Sequence, residues 1–236
     1  YNAWNVTDAS TSTTLHYYQT MTTEDKDLGV ERGWILSTWV RTLSGTATNF
    51  GYQQNDDRYV CVFKLDEPAT GDLTARLVGA SPEYHTVIDD GTAAADYHLH
   101  QIKYNPTTGM ATYLFDGEAI YSWPGQVNSW KDPGTVVWGA ASSAGLGSAN
   151  YNLVDFKILP LPTPADGATD VLIDTALSWE GVDGSSFDVY LGTDAGSLPC
   201  VSSDQTATSY DPGGLDPETT YYWRVDTPTD TGYVWS

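Results

Sequence analysis

The sequence predicts an all-β protein built as two sandwich domains, and three observations carry that expectation. Aromatic residues make up 13% of the chain and glycine occurs 22 times, the composition that short strands joined by tight turns require. Stretches that alternate apolar and polar side chains recur through the first two thirds, each bounded by Gly, Pro, Asn or Asp. A proline-rich break, KILPLPTPADGATD, then divides the chain, because Pro160, Pro162 and Pro164 remove backbone donors and favour an extended connector. The expected domains are residues 1–160 and 161–236.

In the first domain the segments 33–43, 57–65, 72–79, 97–104, 110–123, 135–141 and 149–159 read as strands. Within MATYLFDGEAIYSW the pair Asp116-Gly117 supplies the positive φ values of a type I′ hairpin turn. The one helical segment is TTEDKDLGVERG, where Thr22 or Thr23 caps a turn or two opened by Glu24 and Asp25 and stopped by Gly33. So many antiparallel strands imply two packed sheets, since a single open sheet would leave one face uncovered.

Charge excludes several partners. The chain carries 10 basic and 31 acidic residues, a net charge of -21, and such a surface repels nucleic-acid phosphates and anionic membranes. Residues 1–160 hold 9 basic and 18 acidic residues, and residues 161–236 hold 1 and 13, so the second domain is almost purely anionic. No stretch is apolar enough to span a bilayer, and the chain opens at a tyrosine without a charged-then-apolar leader, which reads as a soluble, mature or trimmed product. Cys61 and Cys200 fall in different domains and form no disulfide framework or metal motif.

Three segments of the first domain carry a resemblance. TEDKDLGVERGW, YHLHQIKYNPTTGMATYLFDGEAIYSW and VVWGAASSAGLGSANYNLVDFKI resemble, in that order along the chain, segments of laminin G-like (concanavalin A-like) jelly rolls of bacteria. The resemblance implies a sandwich of two curved antiparallel sheets, used mostly for binding or spacing. In the second domain Leu215, Pro217, Thr219 and Tyr221 match the tyrosine-corner spacing of fibronectin type III-like, immunoglobulin-like sandwiches. Trp179 stands where those domains place a core tryptophan, and SFDVYLGTD and YYWRVDT would be their paired central strands. That family ends on a full last strand, whereas YVWS supplies only its start.

Catalytic signatures are missing. The Glu-x-Asp-x-x-Glu run of concanavalin A-like polysaccharide hydrolases does not occur, nor do sialidase-type Asp boxes, Gly-x-Ser-x-Gly or a phosphate loop. The expectation is a non-enzyme. His98 and His100 share a strand face, and the structural reading of both outweighs a metal or acid–base pair.

Three sets of binding residues remain. A calcium ion of the kind laminin G-like domains often carry would draw on Asp56, Asp57 and Asp155, against the favoured alternative of a solvated acidic surface. Trp34, Trp39, Trp138, Trp179 and Trp223 lie inside strand patterns and read as core, which leaves Trp123 and Trp130, bracketing SWPGQVNSWK, as the pair best placed to stack on a sugar. Asn5-Val-Thr7 is an N-glycosylation sequon beside the hydroxyl-rich DASTSTT, in keeping with an extracellular or cell-surface setting.

Two functional classes follow. The first is a non-catalytic structural or adhesion protein of the cell surface, whose partners are copies of itself or neighbouring surface proteins. In that reading the edge after YVWS is completed by the next residues of a longer chain or, alternatively, by a neighbour's strand in a head-to-tail filament. The second is a glycan-binding accessory region of a larger secreted polysaccharide-processing enzyme.

Overall fold

The computed structural model describes residues 3–10, 12–46, 48–65, 71–92, 94–140, 146–159, 162–165, 167–179 and 186–227. The chain divides into two compact units, Tyr1–Leu159 and Pro160–Ser236. Each is described by itself.

The first unit is an all-β, jelly-roll-like sandwich. Its strands are β1 (Trp4–Asp8), β2 (Leu15–Thr20), β3 (Trp34–Gly45), β4 (Thr48–Gln54), β5 (Asp57–Leu65), β6 (Leu73–Leu77), β7 (Tyr84–Ile88), β8 (His98–Asn105), β9 (Met110–Phe115), β10 (Glu118–Trp123), β11 (Gln126–Val127), β12 (Thr135–Ala140) and β13 (Gly147–Ile158). They form a six-stranded sheet ordered β1-β13-β3-β8-β9-β10 and a seven-stranded one ordered β2-β12-β4-β5-β6-β7, with β11 also pairing β5. Every pair is antiparallel.

The one helix among the described residues, α1 (Thr23–Arg32), begins where the sequence places it. Thr22 is the N-cap, its Oγ1 accepting from the Asp25 N–H at 3.1 Å. Gly33 ends the helix at φ +87°, and a Cβ there would lie 2.5 Å from the Tyr104 carbonyl oxygen, so no other residue fits without moving β8. At the Asp116-Gly117 turn both residues have positive φ, 48° and 88°, the type I′ geometry that joins β9 to β10.

Alternation along β3 sets the core. Trp34, Leu36, Thr38 and Val40 point inward and are buried, whereas Trp39 on the opposite phase is 39% exposed. Trp34 makes ring contacts with Tyr52, Tyr59, Tyr104 and Phe156, and its Nε1 donates to Gln54 Oε1 at 2.6 Å. Five strands of this unit lie outside the segments read from the sequence, β1, β2, β4, β7 and β11. In β4 all seven residues of TNFGYQQ are buried, and a strand hidden on both faces that carries two glutamines, an asparagine and a glycine has no apolar alternation to reveal it.

The second unit contains β14 (Leu177–Ser178), β15 (Phe187–Gly192), β16 (Cys200–Gln205), β17 (Ser209–Tyr210) and β18 (Tyr222–Asp226). Pairs β14-β17 and β16-β15-β18 enclose a smaller core of Leu177, Trp179, Phe187, Val189, Leu191, Trp223 and Val225. The expected pairing of the two central strands is there as β15 with β18. The Tyr221 hydroxyl accepts from the Asp216 N–H at 3.2 Å, returning to the upstream backbone. Tyr221→Phe is expected to lower the stability of this unit by on the order of 1 kcal/mol, read as a shifted denaturant midpoint; an unmoved midpoint would deny the corner a stabilising role. The YVWS segment lies outside the described residues.

Candidate carbohydrate-binding site

The outer face of the six-stranded sheet carries a shallow, solvent-open cavity of about 560 Å³ lined by Trp39, Asp96, Tyr97, His98, Leu99 and Asp116. Three parts of the chain build it. β3 contributes Trp39, whose cross-strand neighbours are Leu99 on β8 and Leu153 on β13. Leu153 is exposed, so the indole stands in an apolar strip that reaches solvent. The residues leading into β8 contribute Asp96 and Tyr97, and the first residue of the strand is His98; the Arg41 guanidinium sits 5.6 Å from the Tyr97 ring centroid, close enough for a cation–π contact.

The hairpin turn contributes Asp116, which is held from three directions. Its N–H donates to the Leu99 carbonyl at 2.8 Å, its Oδ1 accepts from the Leu99 N–H at 2.8 Å, and its Oδ2 accepts from His98 Nδ1 at 2.8 Å. The carboxylate is thereby a fixed wall of the cavity, and it orients the imidazole. The His98 ring also stacks on Phe115, centroids 5.1 Å apart. The product is an aromatic floor beside acceptor oxygens and an imidazole. That arrangement can bury the C–H face of a sugar ring while accepting bonds from its hydroxyls.

A model of the family described as Vibrio cholerae sialidase, lectin insertion, matches residues 3–159. The chain belongs to that family. Two sialidases of Vibrio cholerae serotype O1, from strains O395 and N16961, are each 30% identical to it over 127 residues, 53% of this chain and 16% of the relative. The match therefore spans about a sixth of those relatives' length. Solved structures similar to it include a prokaryotic β-1,3-1,4-glucanase from a mouse hindgut metagenome, with TM-score 0.37, 13% identity and coverage of 53% and 66% of the two chains. A structure described as a receptor binding domain has TM-score 0.42, 8% identity and coverage of 97% and 63%. The lectin-insertion family replaces the laminin G-like one that the motifs suggested, with the two-sheet sandwich common to both.

Against this lectin-insertion fold the sequence-derived residues sort differently from expectation. Trp123 and Trp39 exchange roles. Trp123 closes β10 opposite Ala111, is 1% exposed and packs in the core against Tyr59, so its ring cannot meet a ligand. A register shift between Ala119 and Tyr121 alters the inward phase of β10, and nothing in the sequence marks it. Trp130 is half-buried, its ring edge-on to His16 at 5.8 Å and its N–H donating to Gln53 Oε1 at 3.0 Å. The two tryptophans therefore form no shared platform.

The calcium residues do not converge. Asp56 lies in the β4–β5 turn, accepting from Ser129 Oγ at 3.3 Å, and Asp57 opens β5 opposite Gln54 and Val127. Asp155 is on β13 in the other sheet, 3.1 Å from Lys157 Nζ. Among the described residues no group of three His, Cys, Asp or Glu side chains is placed to hold a metal ion. Asn5 is exposed on β1, its Nδ2 donating to Asn150 Oδ1 at 2.7 Å and its Oδ1 accepting from Thr7 Oγ1 at 3.0 Å.

The two histidines of β8 divide as well. His98 belongs to the cavity. His100 is fully buried, with Nδ1 at 2.7 Å from the Tyr113 hydroxyl and its ring among Phe50, Phe63 and Phe115. Burial, helped by the charge of His98, pushes its pKa down to about 3, so it stays neutral at ordinary pH.

Proposed function

We propose that this chain is a non-catalytic carbohydrate-binding accessory module of a larger secreted glycan-processing protein, and that it grips saccharide through the Trp39 cavity. The exposed Trp39 indole beside fixed acceptor oxygens carries the reading. A solvent-facing tryptophan next to Leu99 and Leu153 costs burial energy that an inward turn would have recovered, and a docked sugar ring covers it. Membership of a lectin-insertion family supports the same class. The cavity's anionic side chains, Asp96 and Asp116, suit hydroxyl-rich uncharged rings better than acidic ones. This reading takes precedence over a structural filament subunit, for which the described residues offer no comparable site.

The test is a neutral-glycan array followed by titration calorimetry on the full chain. Trp39→Ala is expected to weaken the best neutral ligand at least tenfold, because one lost aromatic stack of about 1.5 kcal/mol gives a factor of that size. Its thermal unfolding should stay near wild type, since the indole is partly exposed. Unchanged affinity in a folded Trp39→Ala protein would remove this cavity from the function.

A further inference from the structure

One end of the first unit gathers polar side chains between its two sheets. Tyr151 of β13 spans the gap there, and its hydroxyl reaches the carbonyl oxygens of Asn49 on β4 at 2.7 Å and Gly139 on β12 at 3.1 Å. Strand register fixes what lies beyond it. In the six-stranded sheet the next inward row is Val6, Ala149 and Thr42, and the row after that holds Asp8 and Gly147. In the seven-stranded sheet Thr48 and Ala140 pair one residue past Asn49 and Gly139, and Thr48 shares the inward phase of the core residues Phe50 and Tyr52. β3 ends at Gly45 and β4 begins at Thr48, so Thr42 and Thr48 flank the same crossing from one sheet to the other.

Three buried oxygen atoms at this end have no hydrogen-bond partner among the described residues. Asp8 is 7% exposed; its Oδ1 accepts from the Ser10 N–H at 2.8 Å, whereas its Oδ2 is covered and unbonded. The Oγ1 atoms of Thr42 and Thr48, residues 2% and 0% exposed, are orphaned in the same way. Folding strips water from such groups, and the loss is largest for a charged carboxylate. Among the described residues no Lys or Arg pairs with Asp8. The carboxylate acts on the His16 imidazole, but burial and then Lys131 push that pKa below its ordinary value, which leaves His16 neutral at pH 7. The neighbouring positions Ala149, Gly147 and Ala140 carry the smallest side chains, so the three oxygens are free to share one small ligand.

We propose that Asp8 Oδ2, Thr42 Oγ1 and Thr48 Oγ1 bind a monovalent metal cation, sodium or potassium, between the two sheets. The single carboxylate sets the valence. A singly charged ion leaves the buried pair neutral, whereas calcium would leave a net positive charge in the interior and draws on about six to eight oxygens. The threonine hydroxyls offer their lone pairs to the ion while their protons turn away from it. Bound there, the ion ties Thr42 of one sheet to Thr48 of the other and clamps that end of the sandwich. The site lies on the inner side of both sheets, so it is independent of what the Trp39 cavity on the outer face binds.

Thermal unfolding of the full chain tests it, with the protein freed of divalent ions and held in sodium, potassium or choline chloride at one fixed ionic strength. Sodium or potassium should raise the melting temperature above that in choline by roughly 5–10 °C at about a hundredfold excess over Kd. Asp8→Asn should melt alike in all three salts, because a neutral amide no longer recruits the ion, and Thr48→Val should shrink the difference. The salt comparison leaves the protein intact, so it stands even if a variant fails to fold. Equal melting of the wild type in the three salts, stabilisation by added calcium alone, or a cation effect that survives in folded Asp8→Asn would overturn the site.

Discussion

Lowering the pH from 6.5 towards 3 is expected to remove roughly 4–5 kcal/mol of stability from the first unit through one residue, His100. The folded pKa of this histidine is depressed from 6.5 to about 3 by burial. The unfolded chain therefore takes up a proton through pH 6.5 that the folded chain refuses until near pH 3. The contribution is complete above pH 6.5 and declines as the pH drops, at about 1.4 kcal/mol per pH unit. Carboxylates protonate in the lower half of the same window, so the measurement is a comparison. Denaturant midpoints of the wild type and of His100→Gln, followed by tryptophan fluorescence from pH 7 to 3.5, should diverge because glutamine cannot titrate. Parallel curves would mean that His100 is protonated in the native core after all.

Trp34→Ala should destabilise the same unit by about 5 kcal/mol, enough to unfold a marginal domain. Removing a fully buried indole costs about 3–5 kcal/mol in transfer and cavity terms. The orphaned amide of Gln54, whose oxygen now accepts from Trp34 Nε1, adds about 1–3 kcal/mol. Trp34→Phe separates the parts: it retains most ring contacts with Tyr52 and Tyr104 but still strands Gln54, so its loss should be smaller and reflect the polar share. Trp39→Ala, five positions on and facing out, serves as the control. If the two alanine variants melt alike, the inward phase assigned to β3 is wrong.

Local chemistry made parts of this architecture readable from the sequence. Thr22 before Glu24 and Asp25, Asp116 before Gly117, and the Leu215–Tyr221 corner each specify a backbone conformation within a few residues, and each takes that form. Phase was harder. In GWILSTWVRTL three consecutive apolar residues fit both faces, and the inward positions Thr38 and Thr42 are polar, so hydropathy favours the wrong partner for Trp39. β4 hides its core role behind Asn49, Gln53 and Gln54, all buried. The cavity was illegible for another reason. Its lining comes from β3, from the approach to β8 and from the β9–β10 turn, and only strand order brings residues 39, 96–99 and 116 together.

In the proposed site, Asp116 would tie recognition to the correctness of the fold. The residue that adopts φ 48° to turn the hairpin is also the one whose carboxylate fixes Leu99 and His98 at the cavity wall. A hairpin that slipped by one residue would reverse every side chain of β10 and carry this carboxylate away from β8, so the misregistered molecule would be blind to its ligand. Affinity chromatography on the bound saccharide would then retain natively paired molecules and let slipped ones pass. The ligand would in turn hold the hairpin shut, slowing amide exchange at Leu99 and Asp116 ahead of the rest of the sheet.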